Sequence, residues 1–255
     1  MKNSKTRIIS FANHKGGVGK TTSTASVGTI LASRGYRVLL VDMDAQANLT
    51  ASLLPSFSGE TIYEALMGKC PLPFCAVPSF STLSLVPSSL QLASAEMELN
   101  YAMERERKLQ RLLESVQGDF DFILIDCPPS LGIFTLNAFT ASNEIVIPMT
   151  AEVLPFHGLK MVNDFIGLIS QHLNPMAHVT GVLLTRWEST NLSKQIEQGL
   201  RHQLGERVFR TRIRKNVSLA EAPLEKKNIV SYAPRSNGAL DYIAFTDELL
   251  LKLGV

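Results

Sequence analysis

The stretch His14-Lys15-Gly16-Gly17-Val18-Gly19-Lys20-Thr21-Thr22 follows, after Asn13, the short apolar run Ile8–Ala12 and leads into a segment of helical spacing, Thr21–Ser33. Strand, glycine-rich turn and helix start in that order are what a phosphate cradle needs. Gly16, Gly17 and Gly19 let backbone N–H groups turn inward with no Cβ in the way. The helix N-terminus adds its partial positive charge. Lys20 sets a point charge between the β- and γ-phosphates of a nucleotide, the Thr21 hydroxyl is placed to ligate Mg²⁺, and Val18 and Thr22 complete the cradle. A turn that merely happens to precede a helix has no need of lysine and threonine in this register.

The loop departs from the pattern G-x-x-x-x-G-K-[ST] where the first glycine would stand: His14 is there, and a second lysine, Lys15, follows it. A lysine at the mouth of such a loop meets phosphate, either in its own chain or in a partner's.

Outward from the loop, short apolar runs alternate with longer helical patterns. Ile8–Ala12, Val38–Val41, Phe120–Ile125, Glu144–Pro148 and Val179–Leu184 read as fully buried strands. Thr21–Ser33, Met97–Val116, Leu159–His172 and Leu192–Leu204 carry apolar residues at three- and four-residue spacing. This alternation implies an α/β fold: a doubly wound, mostly parallel sheet flanked by helices, as in P-loop nucleotide triphosphatases. Residues 55–95, rich in Pro and Ser, read as an excursion over the sheet edge with one weak strand, Leu83–Val86. A single domain over residues 1–255 is expected.

The composition fits this. Of the 255 residues, 45% are hydrophobic and 19% charged, and the net charge of +2 does not by itself argue for a nucleic-acid partner. Cys70, Cys75 and Cys127 form no C-x-x-C pair, so a reduced, cytosolic compartment is the natural expectation. His14, His157, His172, His178 and His202 show no metal-ligand spacing, and Cys70 with Cys75 lacks further ligands nearby. No stretch is apolar over the roughly 18 residues of a membrane span.

Carboxylates follow two of the strands. Asp126 ends four apolar residues, the Walker B pattern in which the acid binds Mg²⁺, often through water. Asp44 sits just past Val41, at the carboxyl end of its strand, where ligands bind in open α/β sheets, and Asp42 supports its loop. The stiff turn Cys127-Pro128-Pro129-Ser130 suits a segment whose position reports the γ-phosphate.

Six segments in order, 13–22, VDMDAQANLT at 41–50, ILIDCPPSLG at 123–132, VIPMTAEV at 146–153, GVLLTR at 181–186 and VFRTRIRKNVSLAEAP at 208–223, resemble the deviant Walker A (ParA/MinD) family, in its ParA/Soj branch of partition ATPases. The resemblance implies an ATPase with ATP and Mg²⁺ as cofactors, Lys15 reaching across a nucleotide-sandwich dimer, and Asp44 orienting the attacking water. The family usually reads the base near an I-P-[RK]-N segment. Here the text is Ile213-Arg214-Lys215-Asn216, which makes Asn216 the candidate base contact and puts arginine where proline is common. No N-K-x-D guanine motif follows Val179–Leu184, so adenine is expected.

Residues 186–235 hold eleven Lys or Arg against five Glu, so the positive excess lies in the C-terminal third. Arg186, Arg201, Arg207, Arg210, Arg212, Lys226, Lys227 and Arg235 are the candidate contacts to DNA, which the family's ATP-bound dimers bind without sequence preference. The resemblance further implies a ParB-like, centromere-binding partner that stimulates hydrolysis, and a cytoplasmic, nucleoid-associated protein of chromosome or plasmid partition. The alternative is a nucleotide-gated regulator or MinD-like positioning ATPase that does not bind DNA. Against a membrane anchor, Ala239–Val255 carries Asp241, Asp247 and Glu248 against Lys252 alone. Cys127 alone does not make an iron–sulfur reductase, the chain does not end in the tyrosine cluster of related kinases, and no helix-turn-helix precedes the first strand.

Overall fold

The computed structural model describes residues 6–54, 56–151 and 155–255, with the backbone alone at 155–157. Among these residues, β1 (Arg7–Phe11), β2 (Val38–Asp42), β3 (Cys75–Ala76), β4 (Leu83–Val86), β5 (Phe122–Asp126), β6 (Glu144–Thr150), β7 (His178–Trp187) and β8 (Val208–Arg214) form one sheet in the order β3-β4-β2-β5-β1-β6-β7-β8. Every pairing is parallel except that of the short edge strand β3 with β4. The stretch 55–95 supplies the strand expected at Leu83–Val86, β4, and a further short strand, β3, at the sheet edge. The Glu152–Val153 end of one matched segment and the His157 side chain lie outside the described residues.

The strands read as unbroken apolar runs because both faces are covered. Ile8, Leu39, Val41, Ile123 and Ile125 pack into one core, with residues of α3 (Ile62–Leu66), α4 (Leu92–Leu99), α5 (Lys108–Glu114), α6 (Ile133–Ala141), α7 (Pro155–His172) and α8 (Asn191–Leu204). Their neighbours Ile9, Val38, Leu40, Phe122 and Leu124 turn to the opposite face, against α1 (Lys20–Ser33), α2 (Asn48–Leu53) and α11 (Asn237–Leu253). Two short helices, α9 (Ser218–Leu224) and α10 (Ile229–Tyr232), join β8 to α11.

β8 has arginine at alternate positions, 210, 212 and 214, and so lacks the apolar signature of its neighbours. It is the far edge strand, and α11 closes it: the Glu248 carboxylate accepts from the N–H groups of Arg210 (2.7 Å) and Thr211 (2.8 Å). Asp241, two turns earlier on the same helix, accepts from the N–H of Arg214 (2.9 Å). Side chains thereby occupy N–H groups that an open edge would offer to another strand.

The helix expected over Met97–Val116 is broken. α4 stops at Leu99, Glu104 takes a left-handed φ of 50°, and the chain restarts as a 3₁₀ turn leading into α5. The wholly buried Asn137 of α6 stabilises the break: its carboxamide accepts from Leu109 N (3.0 Å) and donates to Arg105 O (2.8 Å) and Ile133 O (2.9 Å). The third bond stays within α6, and the first two serve backbone groups that a continuous helix would pair with each other. Asn137→Ala strands them in the core and should cost about 2–3 kcal/mol in urea unfolding. A loss below about 0.5 kcal/mol would mean that the break is held by packing alone.

Candidate nucleotide site at the carboxyl edge of the sheet

The carboxyl ends of β1, β2, β5 and β7 converge on a cleft of about 800 Å³, whose walls include Gly16, Gly19, Lys20, Thr21, Asp44, Pro129 and Thr185. Position 19 favours glycine because its φ is 85°, a left-handed backbone that L side chains rarely adopt. Thr185 in turn donates to Val18 O (2.8 Å), fastening the loop to the end of β7. On the other side Asn13 braces it, donating to Pro148 O (2.8 Å) and accepting from Lys15 N (3.1 Å). His14 lies across Gly158 of α7, where a Cβ would fall 1.9 Å from the ring, so that helix approaches the loop only through glycine.

Lys20 is buried, and its ammonium donates to the Lys15 carbonyl (2.9 Å). Burial lowers its pKa, while Asp126, Cys127 and Asp44 act in the opposite sense. Asp126 is wholly buried, and neither carboxylate oxygen accepts a hydrogen bond of ordinary geometry. The Thr21 hydroxyl lies close enough to temper its charge, and Lys20 helps, yet desolvation and the neighbouring Asp42 raise its pKa well above the usual carboxylate range.

Asp42 is the register partner of Asp126 across β2 and β5 and is itself wholly buried. It accepts from Asp44 N (3.1 Å), Thr50 N (2.9 Å) and the Thr50 hydroxyl (2.7 Å). Desolvation nonetheless carries its pKa up to about 6, against those hydrogen bonds. Asp42 therefore holds the loop that presents Asp44. Asp44 O accepts from the Ser88 hydroxyl (2.8 Å), and its Oδ1 accepts from Gln46 N (2.9 Å). Ser88 was not foreseen in this role, as nothing in the Pro- and Ser-rich stretch sets it apart.

A buried carboxylate without a hydrogen-bond partner, beside a hydroxyl and an open glycine loop, fits a hydrated Mg²⁺ that keeps phosphate and water among its ligands. Thr21 and Asp126 would hold it. No group of three or more His, Cys, Asp or Glu able to hold a metal occurs among the described residues.

The far end of the cleft is built by Ile213–Val217, Pro223, Asn228 and Tyr242. Asn216 lies there, and its Oδ1 accepts from Ser218 N (3.0 Å). The cations expected on a DNA face divide into three groups. Arg186 and Lys227 line this cleft. Arg201 and Arg212 both pair with the buried Glu197 of α8, at 2.8 Å each, and Arg212 also stacks on Trp187, so they brace β8 and α8 together. Arg207, Arg210, Lys226 and Arg235 are exposed with no side-chain partner among the described residues.

Asp126 and Asp42 have raised pKa values, so their protonated forms favour the fold. The stability they give is full below the unfolded value near 3.8 and is lost as pH rises through their folded values, about 6 for Asp42. Asp126→Asn removes the worse-placed charge. It should raise the thermal midpoint of the nucleotide-free protein at pH 7.5 by roughly 2–4 °C and flatten the pH dependence, while abolishing Mg²⁺-dependent nucleotide binding. A lower midpoint would show Asp126 to be a structural residue.

The model of a family described as AAA domain matches residues 6–179. Over 247 residues the chain is 40% identical to the sporulation initiation inhibitor protein Soj of Bacillus subtilis, covering 95% of this chain and 98% of Soj. It is 39% identical over 251 residues to the chromosome partitioning protein ParA of Myxococcus xanthus, covering 96% and 88%. Among solved structures, a cobyrinic acid a,c-diamide synthase from Mycobacterium smegmatis with bound ADP and magnesium superposes with a TM-score of 0.85 at 33% identity, over 98% of this chain and 96% of that one. A putative plasmid partition protein of Borrelia burgdorferi bound to AMPPNP gives 0.85 at 27% identity, over 97% and 100%. ATP and Mg²⁺ are the nucleotide and cation such a site takes. With the family model matched over most of the chain and partition proteins aligned along nearly all of it, this protein is a P-loop ATPase of the ParA/Soj partition type within the ParA/MinD family.

Proposed function

We propose that the protein is an ATP-driven switch in chromosome or plasmid partition. Two ATP-bound subunits close face to face, the dimer binds DNA without sequence preference, and hydrolysis resets it. The observation that carries this reading is the contrast between two lysines of one loop. The Lys20 ammonium is buried and anchored on Lys15 O, whereas the Lys15 ammonium, on the residue just before the cleft-lining Gly16, makes no hydrogen bond or ion pair among the described residues. Lys20 suffices for the subunit's own phosphates, so Lys15 is left to reach a partner's.

In this mechanism the loop N–H groups and Lys20 hold the phosphates, and Thr21 and Asp126 hold Mg²⁺. The cation, when bound, neutralises charge that develops on the β- and γ-phosphate oxygens. Asp44, hung between Asp42 and Ser88, orients the attacking water. Asn216 meets the adenine. The exposed Arg207, Arg210, Lys226 and Arg235 contact DNA phosphates, and a ParB-like protein that binds the centromere stimulates turnover. The names of the Myxococcus and Borrelia relatives, a chromosome partitioning protein and a putative plasmid partition protein, support the partition reading.

Lys15→Gln separates nucleotide binding from dimerisation. Its affinity for a fluorescent ATP analogue should stay within about threefold of wild type. ATP-dependent dimerisation, followed by light scattering, should be lost, and with it ATP-dependent binding to a random duplex in fluorescence anisotropy. The wild-type dimer should lose DNA affinity steeply with salt, at a log–log slope of roughly −0.9 per phosphate neutralised. A Lys15→Gln protein that dimerises and binds DNA normally with ATP defeats the crossing lysine, and salt-insensitive DNA binding defeats the phosphate-contact reading.

A further inference from the structure

Arg214 stands where the resemblance leads one to expect proline, and the structure gives it a specific employment. Its backbone N–H donates to Asp241 Oδ2 (2.9 Å), its Nε to Oδ2 (3.0 Å) and Oδ1 (3.2 Å), and its Nη2 to Oδ1 (2.6 Å). The Asp241 side chain is 10% exposed, so this fork-on-carboxylate pair is largely sheltered on the acid's side. Arg214 ends β8, and Asn216 lies two residues on, inside the cleft.

The same turns of α11 grip two more parts of the cleft. Gly238 brings the helix onto Leu219 of α9, where a Cβ would stand 2.7 Å from Leu219 Cγ. Tyr242, wholly buried, shares a hydrogen bond of 3.0 Å with Ser23 on the second turn of α1, the helix that carries Lys20 and Thr21. One short piece of α11 thus holds the base end of the site through Asp241 and the phosphate end through Tyr242.

We infer that Asp241 is a positioning residue for nucleotide recognition: by clamping Arg214 it fixes the 214–217 loop at the distance from the phosphate loop at which Asn216 meets the base. A proline limits such a loop by locking φ; here an ion pair does so from outside the loop. The inference rests on Asn216 being the base contact.

Affinities for Mg²⁺–ATP, Mg²⁺–GTP and Mg²⁺–tripolyphosphate, the last a probe with phosphates and no base, read it out. Asp241→Asn keeps the volume and removes the charge. It should weaken ATP about tenfold, narrow the preference for ATP over GTP, and leave tripolyphosphate within about twofold. Arg214→Lys, which keeps a charge but cannot fork, should show the same pattern in a protein that melts close to wild type. Equal losses of ATP and tripolyphosphate would mean a general loosening of the cleft, and unchanged ATP affinity would mean that the pair does not position the loop. Either overturns the inference. An Asn216→Ala protein that keeps full ATP affinity would sink the base contact assigned to Asn216, and is read apart from the Asp241 ratio.

Discussion

The rest of this structure depends on two carboxylates, Asp42 and Asp126, buried side by side at the ends of adjacent parallel strands. Burial disfavours the charged form of each, and their mutual repulsion disfavours it further. Asp42 is compensated from within, by Thr50 and the backbone of Asp44. Among the described residues, Lys20 and Thr21 offset the charge of Asp126. In the proposed reading, Mg²⁺ with its phosphates would offset that buried charge. Because Asp42 also holds the Asp44 loop, a change in charge at Asp126 lies one residue pair away from that loop.

Much of this is legible in the amino-acid sequence. The loop 14–22 is marked by its glycines, lysine and threonine after an apolar run, and the strands before Asp44 and Asp126 by apolar runs that end in a carboxylate, a pattern set by burial on both faces of a parallel sheet. β4 is found where it is expected, at Leu83–Val86. What escapes is whatever depends on a distant partner. β8, with arginine at 210, 212 and 214, lacks an unbroken apolar run; it pairs with β7, and α11 carboxylates and Glu197 brace it. The break between α4 and α5 is invisible in the periodicity of residues 97–116, since Asn137 reaches it from another helix.

The basic C-terminal third shows how far charge counts carry. Eleven cations between residues 186 and 235 read as one electropositive region. In space they do three different things: line the nucleotide cleft, brace β8, or stand exposed. The sequence signal is the same for all three, because what separates them is the placement of Glu197, Asp241 and Glu188, each of which engages one or two arginines or lysines. The exposed remainder is smaller, and a DNA contact built from it relies on two copies of the surface acting together.

The central claim is that charge at the γ-phosphate end of the cleft sets the assembly state, with Asp44 needed for chemistry and not for binding. The most direct measurement is the mass of Asp44→Ala protein in Mg²⁺–ATP by light scattering, with phosphate release followed in parallel. The account predicts a persistent ATP-bound dimer whose phosphate release falls by roughly 10²-fold or more. A monomer in ATP, or hydrolysis at the wild-type rate, would contradict it.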